Sequence, residues 1–176
     1  MSLYMTLSDI TAQLPDFAKD LGLNLSSGLR QIELTPTQLW GTAIASAYAC
    51  EDKALLEAIE NEAGSNITTE QIKAAKGAAA IMGMNNIYYR FIHLSNHSKY
   101  KDMPARLRMN IMKSHGADHN DFELWSLAVS AINGCGMCME AHDRALRERG
   151  VSEDAILAAV RIAASVNAVA KVRAIN

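Results

Sequence analysis

Two thiols three residues apart, Cys135 and Cys138, are followed four residues later by an imidazole, His142. Thiols at that spacing can close into a disulfide and reopen, and an imidazole one helical turn further on can supply or remove the proton the cycle needs. The reactive form is the thiolate, so a cysteine with its own base is a candidate reagent. On a helix, steps of three and four put all three side chains on one stripe. Cys135 falls in the first turn, where unpaired backbone N–H groups favour a thiolate. An unperturbed thiol, with a pKa of about 8.5, is a few per cent ionised at neutral pH; a shift of about two units, roughly 2.7 kcal/mol, makes the thiolate dominant. A helix end and a protonated imidazole together can supply that much.

Glu123 stands twelve residues before Cys135 on the preceding helix. If the chain folds back at Asn133-Gly134, its carboxylate can meet His142, orient the ring and strengthen it as a base. The expected relay runs from Cys138 to His142 to Glu123, directly or through a water. A dithiol so equipped suits peroxide reduction. One sulfur takes an oxygen and becomes a sulfenic acid, the other condenses with it to a disulfide, and an external dithiol reopens the bridge. Zinc is the competing use of the same residues. Cys135, Cys138 and His142 supply three donors against the usual four, and the spacing alone leaves both uses, redox or a metal-binding structural module, open.

The elements that must hold these residues read as helix throughout. Only three prolines occur among 176 residues, and no run alternates apolar and polar with β-branched enrichment. Thr35-Pro36 opens a helix that runs through Ala49. Thr68-Thr69-Glu70-Gln71 is a capping box for a long helix reaching about His93. An apolar helix begins near Asn120 and breaks at Asn133-Gly134, and a new one runs from Cys135 to Gly150. Ser152, followed by two acids, opens the last helix. The expectation is an all-α bundle of about eight helices, one domain over 1–176.

An internal similarity lies within that pattern. Leu39-Trp40 aligns with Leu124-Trp125, which makes Trp40 and Trp125 equivalent packing residues, sets Cys50 on Cys135, and sets Lys53, Glu57 and Gln38 on Cys138, His142 and Glu123. It suggests a duplicated helical unit, about 36–95 and 120–173, whose first copy lacks the reactive residues.

Composition limits the partners. The net charge is −2 with signs mixed, so neither a nucleic-acid patch nor a polybasic membrane tether is present. Met1-Ser2-Leu3-Tyr4-Met5 does not read as a secretory leader, and no stretch reads as a spanning helix. Three cysteines, an odd number, favour a reducing compartment, hence the cytoplasm.

The spacing of Glu123, Cys135-x-x-Cys138 and His142 resembles the signature of the alkyl hydroperoxidase D (AhpD) family. So do Ala18-Lys19-Asp20 with Leu23 to Ser27, Gln38 to Thr42, Gly77 to Asn86, Leu107 to Ile111 and Phe122 to Cys135, so that the resemblance spans essentially the whole chain. It implies an all-helical antioxidant enzyme of two intertwined repeats, assembled as a homotrimer or homohexamer. It implies reduction of organic hydroperoxides and of the disulfide of an AhpC-type peroxiredoxin. No cofactor is bound; electrons come from dihydrolipoyl groups on a 2-oxoacid dehydrogenase component. By the family's pattern Cys138 forms the sulfenic acid, Cys135 is the proton donor and resolving thiol, and His142 and Glu123 relay the proton. Well-known members carry a histidine where this chain has Met137. Decarboxylation, as in the related carboxymuconolactone decarboxylases, sits badly with the cysteine pair.

Other residues have plainer readings. His93/His97 and His115/His119, each spaced by four, read as helix-end or loop residues before metal pairs. Cys50, with no partner thiol, reads as a small core hydrophobe. The run from Gly77 to Met84 has little bulk and suits close helix approach. Met137 and Met139 offer either a soft partner surface or ordinary core packing.

Overall fold

Sequence capping decides where the helices begin. In a computed structural model that describes residues 5–95 and 97–175, Thr35, Thr68 and Ser152 each accept a hydrogen bond from the backbone N–H three residues on. Thr35 and Thr68 complete reciprocal capping boxes with Gln38 and Gln71. The helices they open are α3 (Pro36–Ala49), α5 (Thr69–Leu94) and α9 (Glu153–Arg173). The others are α1 (Leu7–Ala12), α2 (Lys19–Gly28), α4 (Lys53–Ala63), the single turn α6 (Lys99–Asp102), α7 (His119–Ile132) and α8 (Gly136–Glu148). Among the described residues there are nine α-helices and no strand, one helix more than expected because α6 is too short to carry a period. Met1 to Tyr4, most of the segment read as lacking a leader, lie outside the described residues.

Two helices form the axis of the core. α3 and α7 pack on each other, and each also packs against α5 and α9. Both are buried nearly all round: Gly41 to Ala47 in α3 and Asp121 to Ser130 in α7. That requires small or apolar side chains over consecutive positions rather than one stripe. α8 lies on α7 and α5, α4 on α3, and α2 on α9. α9 is long and apolar enough, by length and composition, to cross a membrane, which the sequence reading did not anticipate. It packs against α2, α3 and α7 as a core helix.

The two tryptophans are used differently. Trp125 is fully buried, whereas Trp40 is partly buried at the edge of the core. Helix register explains this. Pro36 to His119 and Lys53 to Gly136, the paired helix starts, are each 83 residues apart, not the 85 that aligns the tryptophans. In that register Trp40 corresponds to Glu123, Asp52 to Cys135, Leu55 to Cys138 and Ile59 to His142. Leu55 and Ile59 are fully buried hydrocarbon, so the first helical pair packs where the second reacts. In that register Cys50, Lys53, Glu57 and Gln38 do not fall on the reactive residues; the starts of α5 and α9, Thr69 and Glu153, are 84 apart. The residue types misled because Leu, Ala and Ser recur by chance in buried helices, whereas caps set the frame.

The axis closes at one contact. A Cβ on Gly41 of α3 would overlap the indole of Trp125 on α7. Gly41→Ala is expected to destabilise the fold by about 3 kcal/mol, the upper range for overpacking a core. Gly83→Ala, on the open side of α5, should be neutral or slightly stabilising. Urea unfolding of the two variants checks the contrast.

Candidate active site

The α7–α8 turn places the first cysteine. Asn133 ends α7, and Gly134 takes a left-handed φ of +68°. Gly134 N–H then bonds Ala131 C=O at 3.2 Å, and Cys135 N–H bonds Ser130 C=O at 3.1 Å. This is a Schellman closure, and glycine is the residue that reaches its conformation without strain. The chain leaves it with Cys135 as the N-cap of α8, one position before the helix proper, and Cys135 Sγ accepts the Cys138 N–H at 3.3 Å.

α5 clamps that turn from the side. Asn86 Nδ2 donates to Ser130 Oγ at 2.8 Å, Asn133 Nδ2 donates to Asn86 Oδ1 at 3.0 Å, and the Arg90 guanidinium donates to the Asn133 carbonyl. Asn86 is buried, so its amide makes these bonds away from water, where losing one would leave an unpaired polar group.

Cys135 and Cys138 are joined in a disulfide, with Cα atoms 5.3 Å apart. Cys135 is fully buried, whereas Cys138 and His142 reach the wall of a cavity of about 250 Å³. Met82, Met109, Met112 and Met137 supply most of its soft apolar lining. Two polar groups from α5 also face it, Tyr89 and Asn85. Asn85 Oδ1 is buried and has no hydrogen-bond partner among the described residues.

His142 Nδ1–H donates to Glu123 Oε2 at 2.6 Å, and both side chains are about nine-tenths buried. With Nδ1 engaged by the carboxylate, Nε2 is the ring nitrogen left for chemistry. Burial pushes the Glu123 carboxyl up, but the hydrogen bond and charge of His142, helped by His119 and Arg149, outweigh it and hold the group below the usual glutamate range. Glu123 therefore stays ionised behind the imidazole at neutral pH.

All four residues predicted for the site converge here: Glu123 from α7, Cys135 at the turn, and Cys138 and His142 from α8. The sequence reading missed His119, whose Nε2 lies 3.8 Å from Glu123 Oε1. It also missed Asn85, Asn86 and the methionines that arrive from α5 and the segment before α7. Met137 lines the cavity while Met139 packs against the core, so the two divide the alternatives between them. Cys50 is half-buried, with its thiol pushed up to about 11, by burial first, with Lys171 opposing and Asp52 adding to it. Its Sγ lies 3.7 Å from Asn167 Oδ1. His97 falls beyond the end of α5 and stacks on Tyr100, so it shares no helix face with His93. Among the described residues no group of three or more His, Cys, Asp or Glu side chains is placed to hold a metal.

A helical bundle that turns one sulfur of a closed cysteine pair toward an apolar cavity, beside a carboxylate-held imidazole, is a dithiol–disulfide redox site. The carboxymuconolactone decarboxylase family model matches residues 98–175. A Solibacter usitatus protein named alkyl hydroperoxide reductase AhpD is 52% identical over 168 residues, covering 96% of this chain and 95% of that protein. Proteins of the same name from Maricaulis maris and Brucella canis are 53% and 50% identical, over 97% and 94% of this chain and 98% and 95% of their own lengths. The chain belongs to the AhpD family of alkyl hydroperoxide reductases.

A buried carboxylate whose pKa is lowered on folding stabilises the fold above its unfolded pKa and loses that contribution as pH falls through the folded value. Wild type is therefore expected to exceed Glu123→Gln in stability at pH 7, with the gap narrowing below about pH 4, where carboxyls protonate. Urea titrations at pH 7 and pH 3 measure it; a gap that widens on acidification contradicts the assigned ionisation.

Proposed function

We propose that this protein is an antioxidant alkyl hydroperoxide reductase whose working group is the Cys135/Cys138 pair. The observation that carries the reading is the position of Cys138: on the cavity wall, within bonding distance of a second sulfur, beside an imidazole fixed by a buried carboxylate.

In the reduced protein His142 Nε2 takes the Cys138 proton, and Glu123 stabilises the imidazolium. The thiolate attacks the outer oxygen of ROOH. The O–O bond breaks, Cys138 becomes a sulfenic acid, and the alkoxide leaves as ROH with the proton from His142. The Cys135 sulfur then attacks Cys138, water departs, and the disulfide forms. A dithiol of the dihydrolipoyl class reduces it through a mixed disulfide, its own two sulfurs ending as a disulfide. The methionine lining suits a flexible alkyl chain, and the free Asn85 amide oxygen can accept the O–H of the hydroperoxide.

Reduced Cys135/Cys138 can also pass its electrons to the disulfide of an AhpC-type peroxiredoxin, as the family resemblance implies. A lipoyl-bearing 2-oxoacid dehydrogenase component is the proposed donor, in the cytoplasm, with no bound cofactor. Ile87, Phe91 and Leu94 form an exposed apolar stripe along α5, which supports assembly as a homotrimer or homohexamer.

Peroxide consumption driven by dihydrolipoyl protein tests the reading. Wild type should turn over cumene hydroperoxide, and Cys138→Ser should abolish turnover. His142→Gln should lower it by about 10²-fold or more, the range for losing a general base, and Met137→Ala far less. Equal losses from the last two variants would remove His142 from its assigned role.

A further inference from the structure

The relay as described has no outlet. Cys138, His142 and Glu123 are all buried, and the cavity that reaches Cys138 is filled when a hydroperoxide or a dithiol occupies it. Yet reduction of the disulfide draws protons inward. The incoming dithiol attacks as a thiolate, having left one proton in water; its second thiol carries one proton in, so one more must enter before the pair stands reduced as a Cys135 thiol and a Cys138 thiolate beside protonated His142.

One side chain bridges the gap. His119 is the first residue of α7 and stands one turn before Glu123 on the same helix. Its Nε2 lies 3.8 Å from Glu123 Oε1, while Glu123 Oε2 is bonded to His142. The two carboxylate oxygens are thus divided between two imidazoles. The His119 side chain is 41% exposed, against 10% for Glu123 and 10% for His142. Polar and ionisable groups surround it. Asp118 precedes His119, and the His115 ring lies 6.1 Å away. His115 is itself fixed by stacking on Phe122 and by the Ala117 N–H on its Nδ1. Arg149, at the end of α8, acts on the same Glu123 carboxylate.

We infer that His119 is the solvent-side end of the relay, carrying protons between bulk water and Glu123 while the cavity is occupied. The path runs from water to His119, across the Glu123 carboxylate to His142, and on to Cys138, with no net change at the three intermediate groups. His119 acts through Glu123 and is a positioning residue for proton supply, not a group that touches substrate. The inference rests on the proposed relay and goes one group beyond it.

Rapid-mixing reduction of the oxidised full-length protein by dihydrolipoamide, in a weak non-imidazole buffer, tests it. His119→Gln is expected to slow disulfide reduction by about tenfold, less than the 10²–10⁴ of a base acting directly. Added imidazole should restore the rate in proportion to its concentration and leave wild type unchanged. A His119→Gln protein that matches wild type, or one that is slowed without responding to imidazole, overturns the outlet. Cumene hydroperoxide turnover of Cys138→Ser, His142→Gln and His119→Gln, measured in parallel, separates the two levels. If the first two retain turnover, the underlying redox reading fails; if they lose it and His119→Gln does not, only the outlet fails.

Discussion

The hydrogen bond between His142 Nδ1 and Glu123 Oε2 joins α7 to α8 and sets the chemical character of everything near it. A charge-assisted bond of this kind contributes about 1.5–3 kcal/mol, and breaking one partner in a buried setting costs more than the bond contributes. It does three things together. It keeps Glu123 ionised despite burial, it fixes the imidazole tautomer so that Nε2 is free, and it holds the ring at the cavity where Cys138 is reached. Remove the carboxylate and the ring loses both orientation and the charge that makes it a base.

That bond can form only because α8 returns alongside α7. The Schellman closure at Gly134 makes the reversal, and Asn86 and Arg90, one turn apart on α5, hold it. The cysteine at the N-cap inherits a position that any capping residue could occupy; Asp52 fills the corresponding place in the first helical pair and caps α4 through its carboxylate. The same backbone device therefore serves packing at one turn and redox chemistry at the other. What differs is a few side chains: Leu55 and Ile59 in one register, Cys138 and His142 in the other.

Much of this was legible in the chain because it is local. The caps at Thr35, Thr68 and Ser152 and the break at Asn133-Gly134 are encoded within four residues, and the helices begin and end there. The stripe of Cys135, Cys138 and His142 needs only helical periodicity. Glu123 needed the fold-back, which the Asn-Gly break announced. What stayed hidden depends on chain far away in sequence. Met82 and Asn85 reach the cavity from α5, and Met109 and Met112 from a short 3-10 turn at Asn110–Met112 and its flank. Nothing local says that those methionines face a sulfur. His119 was within reach, since its spacing of four from Glu123 on one helix is itself a pairing signal; pairing it with His115 as a metal candidate drew attention away. The helix starts give repeat offsets of 83 and 84 residues rather than the 85 that aligns the tryptophans, because caps rather than apolar identity set the helix frame.

The most direct measurement of the central claim is the ionisation of Cys138 itself, followed by thiolate absorbance across pH in reduced Cys135→Ser protein, with and without His142→Gln. With the imidazole–carboxylate pair intact, Cys138 should titrate well below the ordinary thiol value of about 8.5, and loss of His142 should move it up toward that value. Superimposable curves in the two proteins would contradict the account.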